Sequence, residues 1–128
     1  MQKNSQSIRA ACLNIALAIA LGALGAHELK DKVPVASIAT WTTASHYHLV
    51  MGVGLLIIIS IARFAQKTKI ATLAIKLVAL GMLVFSGSLY LLVLTNLKWL
   101  GAITPIGGVL LITGWTCLAL SKLELPQQ

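Results

Sequence analysis

Acidic residues are nearly missing from this 128-residue chain: Glu28, Asp31 and Glu124 are the only three. Charged residues of both signs reach 10%, whereas 58% of the residues are hydrophobic. A soluble domain needs about 25% charged residues to cover its surface with groups that water accepts. A surface this poor in charge faces lipid. Intramembrane carboxylates mark most proton and cation pathways. All three acids here fall outside the long apolar runs, which argues against a proton-coupled transporter of the usual kind.

Cysteine is also scarce. Cys12 and Cys117 both sit inside apolar runs, which excludes a disulfide framework and a paired-cysteine zinc motif. No phosphate-binding glycine loop, nucleophile elbow or pair of catalytic carboxylates occurs. Catalysis is therefore not expected, nor is a cofactor. A serine nucleophile at Ser86 or Ser88 would need a positioned base, and only the histidines are on offer.

The net charge of +7 raises the question of nucleic acid. The ten basic residues, however, stand in short clusters between apolar runs, without interleaved aromatics or a single basic face. Basic clusters that flank apolar runs are a topology signal, and they meet anionic headgroups. The bilayer is the expected partner, and nucleic acid is not.

Four apolar runs are present, at residues 8–26, 44–64, 71–95 and 103–121. Each approaches or exceeds the roughly 20 residues that a hydrocarbon core of about 30 Å requires. A lipid-embedded backbone must satisfy its own hydrogen bonds, so helices are expected. A barrel would need alternating polarity in segments of about ten residues. The chain is read as a single all-α membrane domain, a bundle of four antiparallel transmembrane helices. The first run follows Lys3 and Arg9 and contains Ala23-Leu24-Gly25, which is like a signal-peptide cleavage site. It is long enough to span a membrane and is read as a span. Thr104-Pro105 reads as an N-cap with proline at the first helical position. A helix that starts near Lys98 and carries the proline inside is the alternative.

Residues 65–70 and 96–102 make short links between antiparallel neighbours. Residues 27–43 form a longer outer link with Pro34 and the interfacial candidate Trp41, of undecided conformation. Lys3, Arg9, Arg63, Lys67, Lys69, Lys76 and Lys122 fall on one side, counting Lys76 as snorkelling; Lys30, Lys32 and Lys98 fall on the other. The excess of basic residues places both termini in the cytoplasm.

Small residues set how closely membrane helices approach. The first span carries Ala10, Asn14, Ala18, Gly22 and Ala26 at fourfold spacing. The third carries Ala74, Gly81 and Ser88, and the fourth Gly107, Gly114 and Ser121, at sevenfold spacing. These rows are expected to be the seams of a tight bundle, with a homodimer face as the rival reading.

Polar residues gather toward the outer side: His27, Tyr47, His48, Ser86, Ser88, Tyr90 and Thr104. They are expected to satisfy one another as interhelical hydrogen bonds, each worth about 0.6 kcal/mol, or to line a small ligand site. His27, His46 and His48 are expected at one membrane level. His46 and His48 point to nearly opposite helix faces, whereas His48 and Met51 share one and make a soft pair suited to copper. Spacing supplies no third ligand.

The motifs Gly22-Ala23-Leu24-Gly25-Ala26-His27, Tyr47-His48, Phe85-Ser86-Gly87-Ser88-Leu89-Tyr90, Ile103-Thr104-Pro105-Ile106-Gly107-Gly108 and Gly114-Trp115 occur in this order. Together they resemble a family of small membrane proteins that joins bacterial YgdD-like proteins to eukaryotic transmembrane-protein-256-like proteins. The resemblance covers nearly the whole chain. It implies a four-helix protein of the bacterial inner membrane and adds no activity, because that family is a domain of unknown function. Its members often carry a histidine four residues after the tyrosine of the second span, where this chain has Met51. The leading functional expectation is a non-catalytic structural or accessory component of a membrane complex, or a homo-oligomer. Binding or passage of a small uncharged or lipid-like ligand at the outer end of the bundle comes second, and a histidine–methionine metal site last.

Overall fold

The computed structural model describes residues 2–61 and 69–121. Arg63, Phe64, Lys67, Lys122 and Glu124, the link at 65–68 and the Pro126-Gln127-Gln128 end lie outside the described residues. Four α-helices account for nearly all of the rest: α1 (Gln2–Leu24), α2 (Val35–Ile61), α3 (Lys69–Thr95) and α4 (Leu100–Leu120). No strand occurs among the described residues. A π-helical turn, Gly25–Leu29, prolongs α1, and all four helices are long and apolar enough to cross a membrane.

The undecided outer link is mostly helix. The α2 helix starts at Val35, and the Pro34 carbonyl accepts from the amides of Ser37 and Ile38. Thr40, Thr42 and Thr43 make this stretch look polar in sequence. Each threonine hydroxyl instead donates to the carbonyl four residues back, on Ala36, Ile38 and Ala39, which hides its polarity within the helix.

The α4 helix also begins earlier than the N-cap reading of Thr104-Pro105 predicts. It starts at Leu100, and Pro105 lies inside it. Thr104 is not a cap; its hydroxyl turns back to the Leu100 carbonyl at 3.3 Å. Proline is tolerated inside membrane helices where neighbours re-satisfy the backbone. Asn96, at φ 56, takes the left-handed conformation that ends α3, and Leu100 opens the next helix three residues after Leu97.

The helices pack in chain order: α1 against α2, α2 against α3, and α3 most closely against α4. Burial follows a sevenfold repeat. Ala11, Ala18 and Gly25 are buried on α1; Trp41, His48 and Leu55 on α2; Ala74, Gly81 and Ser88 on α3; Leu100, Gly107 and Gly114 on α4. A sevenfold row drifts by only about 20° per repeat around a straight helix. The fourfold row expected on α1 drifts twice as fast per shorter step, so its ends turn outward: Ala10 and Ala26 are exposed. The sevenfold glycines are where α3 and α4 meet. A Cβ on Gly81 would lie 2.8 Å from the Leu111 amide nitrogen, and one on Gly114 would lie 2.9 Å from that of Val78. A Cβ on Gly107 would press on the backbone of Phe85. Backbone meets backbone here, so glycine is required.

A lower core of Leu55, Val78, Met82 and Leu111 joins α2, α3 and α4. An upper core of Trp41, Ala44 and Tyr90 joins α2 and α3 and reaches Leu21 of α1. The Trp41 indole donates to the Leu21 carbonyl at 2.7 Å, the carbonyl that a regular α-helix would offer to the Gly25 amide. A Cβ on Gly25 would overlap the same indole.

Candidate functional site

His48 is the fourteenth of the 27 residues of α2, about 20 Å from either end. It therefore lies near mid-depth and about 15 Å further from the α1–α2 turn than His27. The three histidines do not share one level, because α2 starts early; Tyr90, the partner of His48 on α3, stands five residues before the outer end of its helix.

Two neighbouring helices supply partners to His48. Its Nε2 is 3.0 Å from Asn14 Oδ1 on α1, and its Nδ1 is 3.3 Å from the Tyr90 hydroxyl on α3. In the neutral imidazole, Nε2–H donates to the Asn14 carbonyl oxygen and Nδ1 accepts from the Tyr90 O–H. The Asn14 amide group in turn reaches Met82 Sδ at 3.6 Å, the polar link from α1 to α3. Tyr90 is held by the Trp41 ring at a centroid distance of 4.7 Å.

Met82, Ser86 and Tyr90 follow one another at fourfold spacing and present one face of α3 to this network. All three are buried. Ser86 is only 2% exposed, and its hydroxyl has no hydrogen-bond partner among the described residues. Leaving a buried hydroxyl unpaired costs about 1–3 kcal/mol, and a serine in a helix can ordinarily bond the carbonyl four residues back.

The Ser86 side chain lines a cavity of about 200 Å³ between α1 and α3, with α2 behind it. Asn14, His48, Gly87 and Tyr90 share its wall with the apolar Leu17 and Leu83. Gly87 stands out because a Cβ there would meet nothing within 4 Å. Packing does not require this glycine, and within a helix it costs up to about 1 kcal/mol relative to alanine. A second cavity of about 350 Å³ continues toward the N-terminal end of α1, between the same helices. Asn14 and Met82 belong to both walls. The two chambers adjoin along one crevice, and the Asn14–Met82 contact lies between them. Among the described residues, no charged side chain lines either chamber.

Of the seven site residues expected from sequence, His48, Ser86 and Tyr90 come together here. Ser88, two residues from Ser86, faces the other way and pairs with the Thr104 hydroxyl at 2.7 Å across the α3–α4 seam. Tyr47 packs on Phe85 at 4.7 Å, outside the crevice. His27 is exposed on the π-helical turn. The Met51 sulfur does not face His48; it accepts the Trp115 indole N–H at 3.2 Å. Among the described residues, no cluster of three or more His, Cys, Asp or Glu side chains is suited to a metal. Asn14, Met82 and Gly87 went unidentified as site residues in sequence. Asn14 had a signal: it is the one asparagine inside an apolar run, and an amide at that depth must find a partner. Met82 and Gly87 had none, since each is ordinary in a membrane helix.

The family described as "Protein of unknown function (DUF423)" matches residues 21–108. A UPF0382 membrane protein of Staphylococcus epidermidis is 43% identical over 113 residues, covering 88% of this chain and 90% of its own length. The UPF0382 membrane protein YwdK of Bacillus subtilis is 38% identical over 112 residues, covering 88% of this chain and 91% of its own. No solved structure matches the chain.

Proposed function

The chain belongs to the DUF423 family, and on that footing we propose that it is a non-catalytic binding protein whose mid-membrane crevice holds a small uncharged ligand. The observation that carries this reading is the Ser86 hydroxyl, buried and unpartnered beside a cavity whose wall Ser86 shares with Asn14, His48 and Tyr90. Lipid around the bundle offers no water to satisfy that hydroxyl, so a bound group with hydrogen-bonding capacity would remove its desolvation cost. The glycine at position 87 supports the same reading, because it keeps the cavity open at a cost in helix propensity. A mechanism of binding alone suffices. The Tyr90–His48–Asn14 chain fixes the rotamers of the wall before a ligand arrives, which lowers the entropy lost on binding.

The setting proposed is the bacterial inner membrane with both termini in the cytoplasm. In the sequence Lys3, Arg9, Arg63, Lys67, Lys69, Lys76 and Lys122 fall on that side against Lys30, Lys32 and Lys98 on the other, and this excess of basic residues supports the orientation. The motif likeness to YgdD-like and transmembrane-protein-256-like proteins supports placing the chain in that wider group.

The test is native mass spectrometry of the full chain released from lipid nanodiscs, beside Gly87→Leu. The leucine fills the cavity from a position where nothing collides. A stoichiometric small molecule on the wild type that is missing from Gly87→Leu is the expected result. A wild type free of ligand but holding a stoichiometric protein partner would overturn it in favour of an accessory subunit.

A further inference from the structure

The two chambers differ in the side chains that line them, and together they specify a shape of ligand. The chamber at Ser86 and Tyr90 is compact, and its mostly apolar wall carries the polar residues Asn14, His48, Ser86 and Tyr90. The other is larger and almost wholly apolar, with Ala10, Ala11, Gly52, Leu55, Ile75 and Ala79 in its wall. It follows α1 from Asn14 back to Ser7 and α3 from Met82 back to Ile75. Seven residues of helix cover about 10 Å, two thirds of the roughly 15 Å depth of one hydrocarbon leaflet. The crevice runs alongside the helices, as lipid chains do. Small residues on α1 (Ser7, Ala10 and Ala11) and Gly52 on α2 leave room for it between larger neighbours.

Resting on the reading of the Ser86 chamber as a binding site, we propose that the ligand is an uncharged single-chain amphiphile with a hydroxyl head. The head occupies the chamber at Ser86 and Tyr90, and the chain lies in the apolar chamber beyond Asn14 and Met82. The head chemistry follows from what remains unpaired. Tyr90 donates its proton to His48 Nδ1 and keeps lone pairs free, while Ser86 Oγ–H has no acceptor. Ser86 and Tyr90 are four apart on one helix face, about 5–6 Å between Cβ atoms. One hydroxyl between them accepts from Ser86 and donates to Tyr90. A carboxylate or phosphate head would find no cation among the described residues that line the chambers. A partner helix is too wide: with side chains it measures about 10–12 Å across, and a 15 Å length of it exceeds roughly 1,000 Å³ by that diameter. The chambers hold about 350 and 200 Å³.

The experiment uses the full chain in nanodiscs and a twelve-carbon alkanol carrying a diazirine near its chain end. After photolysis, labelled residues are mapped by peptide mass spectrometry, with 1-dodecanol, dodecyl methyl ether and dodecyltrimethylammonium as competitors. The expected label falls on the α1 segment around Ala10 and Ala11 and the α3 segment around Ile75 and Ala79. Dodecanol competes best. Ser86→Ala lowers the apparent affinity roughly fivefold, as loss of one hydrogen bond implies. Ala10→Phe, a substitution at an exposed position in the apolar chamber wall, removes the chain-end label. Label confined to Leu17, Leu83 and Gly87 would overturn the two-chamber ligand while leaving the Ser86 site standing. Equal competition by the ammonium compound would overturn the uncharged head. Label that no competitor displaces would overturn both the amphiphile and the binding site.

Discussion

A single methyl group added at Gly107 has nowhere to go. Its carbon would lie 2.7 Å from Phe85 Cα and 2.8 Å from Phe85 Cβ, with the Phe85 amide nitrogen closer still. Carbon atoms settle at about 3.5–4.0 Å, so α4 must retreat from α3 by about 1 Å. A gap of that size forfeits a quarter to a half of each contact along the seam, including those made at Gly81 and Gly114. Overpacking of this kind costs about 1–3 kcal/mol. Alanine regains about 1 kcal/mol of helix propensity over glycine, which leaves Gly107→Ala destabilised by up to about 2 kcal/mol. Gly87→Ala is the matched control. It has the same propensity gain at a position where the new methyl meets nothing, and it is expected to equal or exceed the wild type. The difference between the two variants isolates the α3–α4 contact. Titration with sodium dodecyl sulfate from a mild-detergent micelle, followed by far-ultraviolet circular dichroism, gives both midpoints. If the two alanine variants unfold at the same detergent fraction, the backbone-to-backbone seam is refuted.

Other substitutions probe the polar contacts. Asn14→Ala strips His48 Nε2 of its acceptor and should cost about 0.6–1.7 kcal/mol, the measured range for interhelical bonds in membranes; the same titration reads it, and no loss would detach Asn14 from the network. Ser88→Ala and Thr104→Ala should show a coupling of about 0.6 kcal/mol in a double-mutant cycle, and an additive result would mean the hydroxyl pair contributes nothing. Trp41→Phe keeps the ring against Tyr90 but removes the bond to Leu21. Faster hydrogen exchange at amides 25–29 is the expected sign, and unchanged exchange would show that the indole does not hold the π-helical turn.

The number, order and helical nature of the spans were legible because lipid leaves few alternatives for the backbone. The sevenfold glycines of α3 and α4 were legible for a related reason, since close approach demands small residues at one repeat. What misled was local. Threonines that bond back to their own helix hid residues 35–43 from the second apolar run, and its start at 44 put His48 at the outer side instead of mid-helix. Thr104-Pro105 has the form of a helix start, but Leu100 and the Ser88 partnership hold the chain helical ahead of it. The choice among the polar side chains was illegible because it depends on rotation about the α3 axis. Ser86 and Ser88 are equivalent in sequence; Ser88 closes a seam, and Ser86 is left unpartnered in the wall of a cavity.

The pairing of α1 with α2 also bears on how the chain is made. A membrane protein enters the bilayer from its N-terminus, so the first hairpin must harbour an asparagine and a histidine before α3 has left the ribosome. Those two residues are each other's partners across α1 and α2. Their burden is thus shared within the first half of the nascent chain, and Tyr90 completes the imidazole's second bond only when α3 arrives. A chain halted after Ile61 should already hold Asn14 against His48, which makes the first hairpin a self-sufficient unit of insertion and the second, with its glycine seam, a unit that docks onto it.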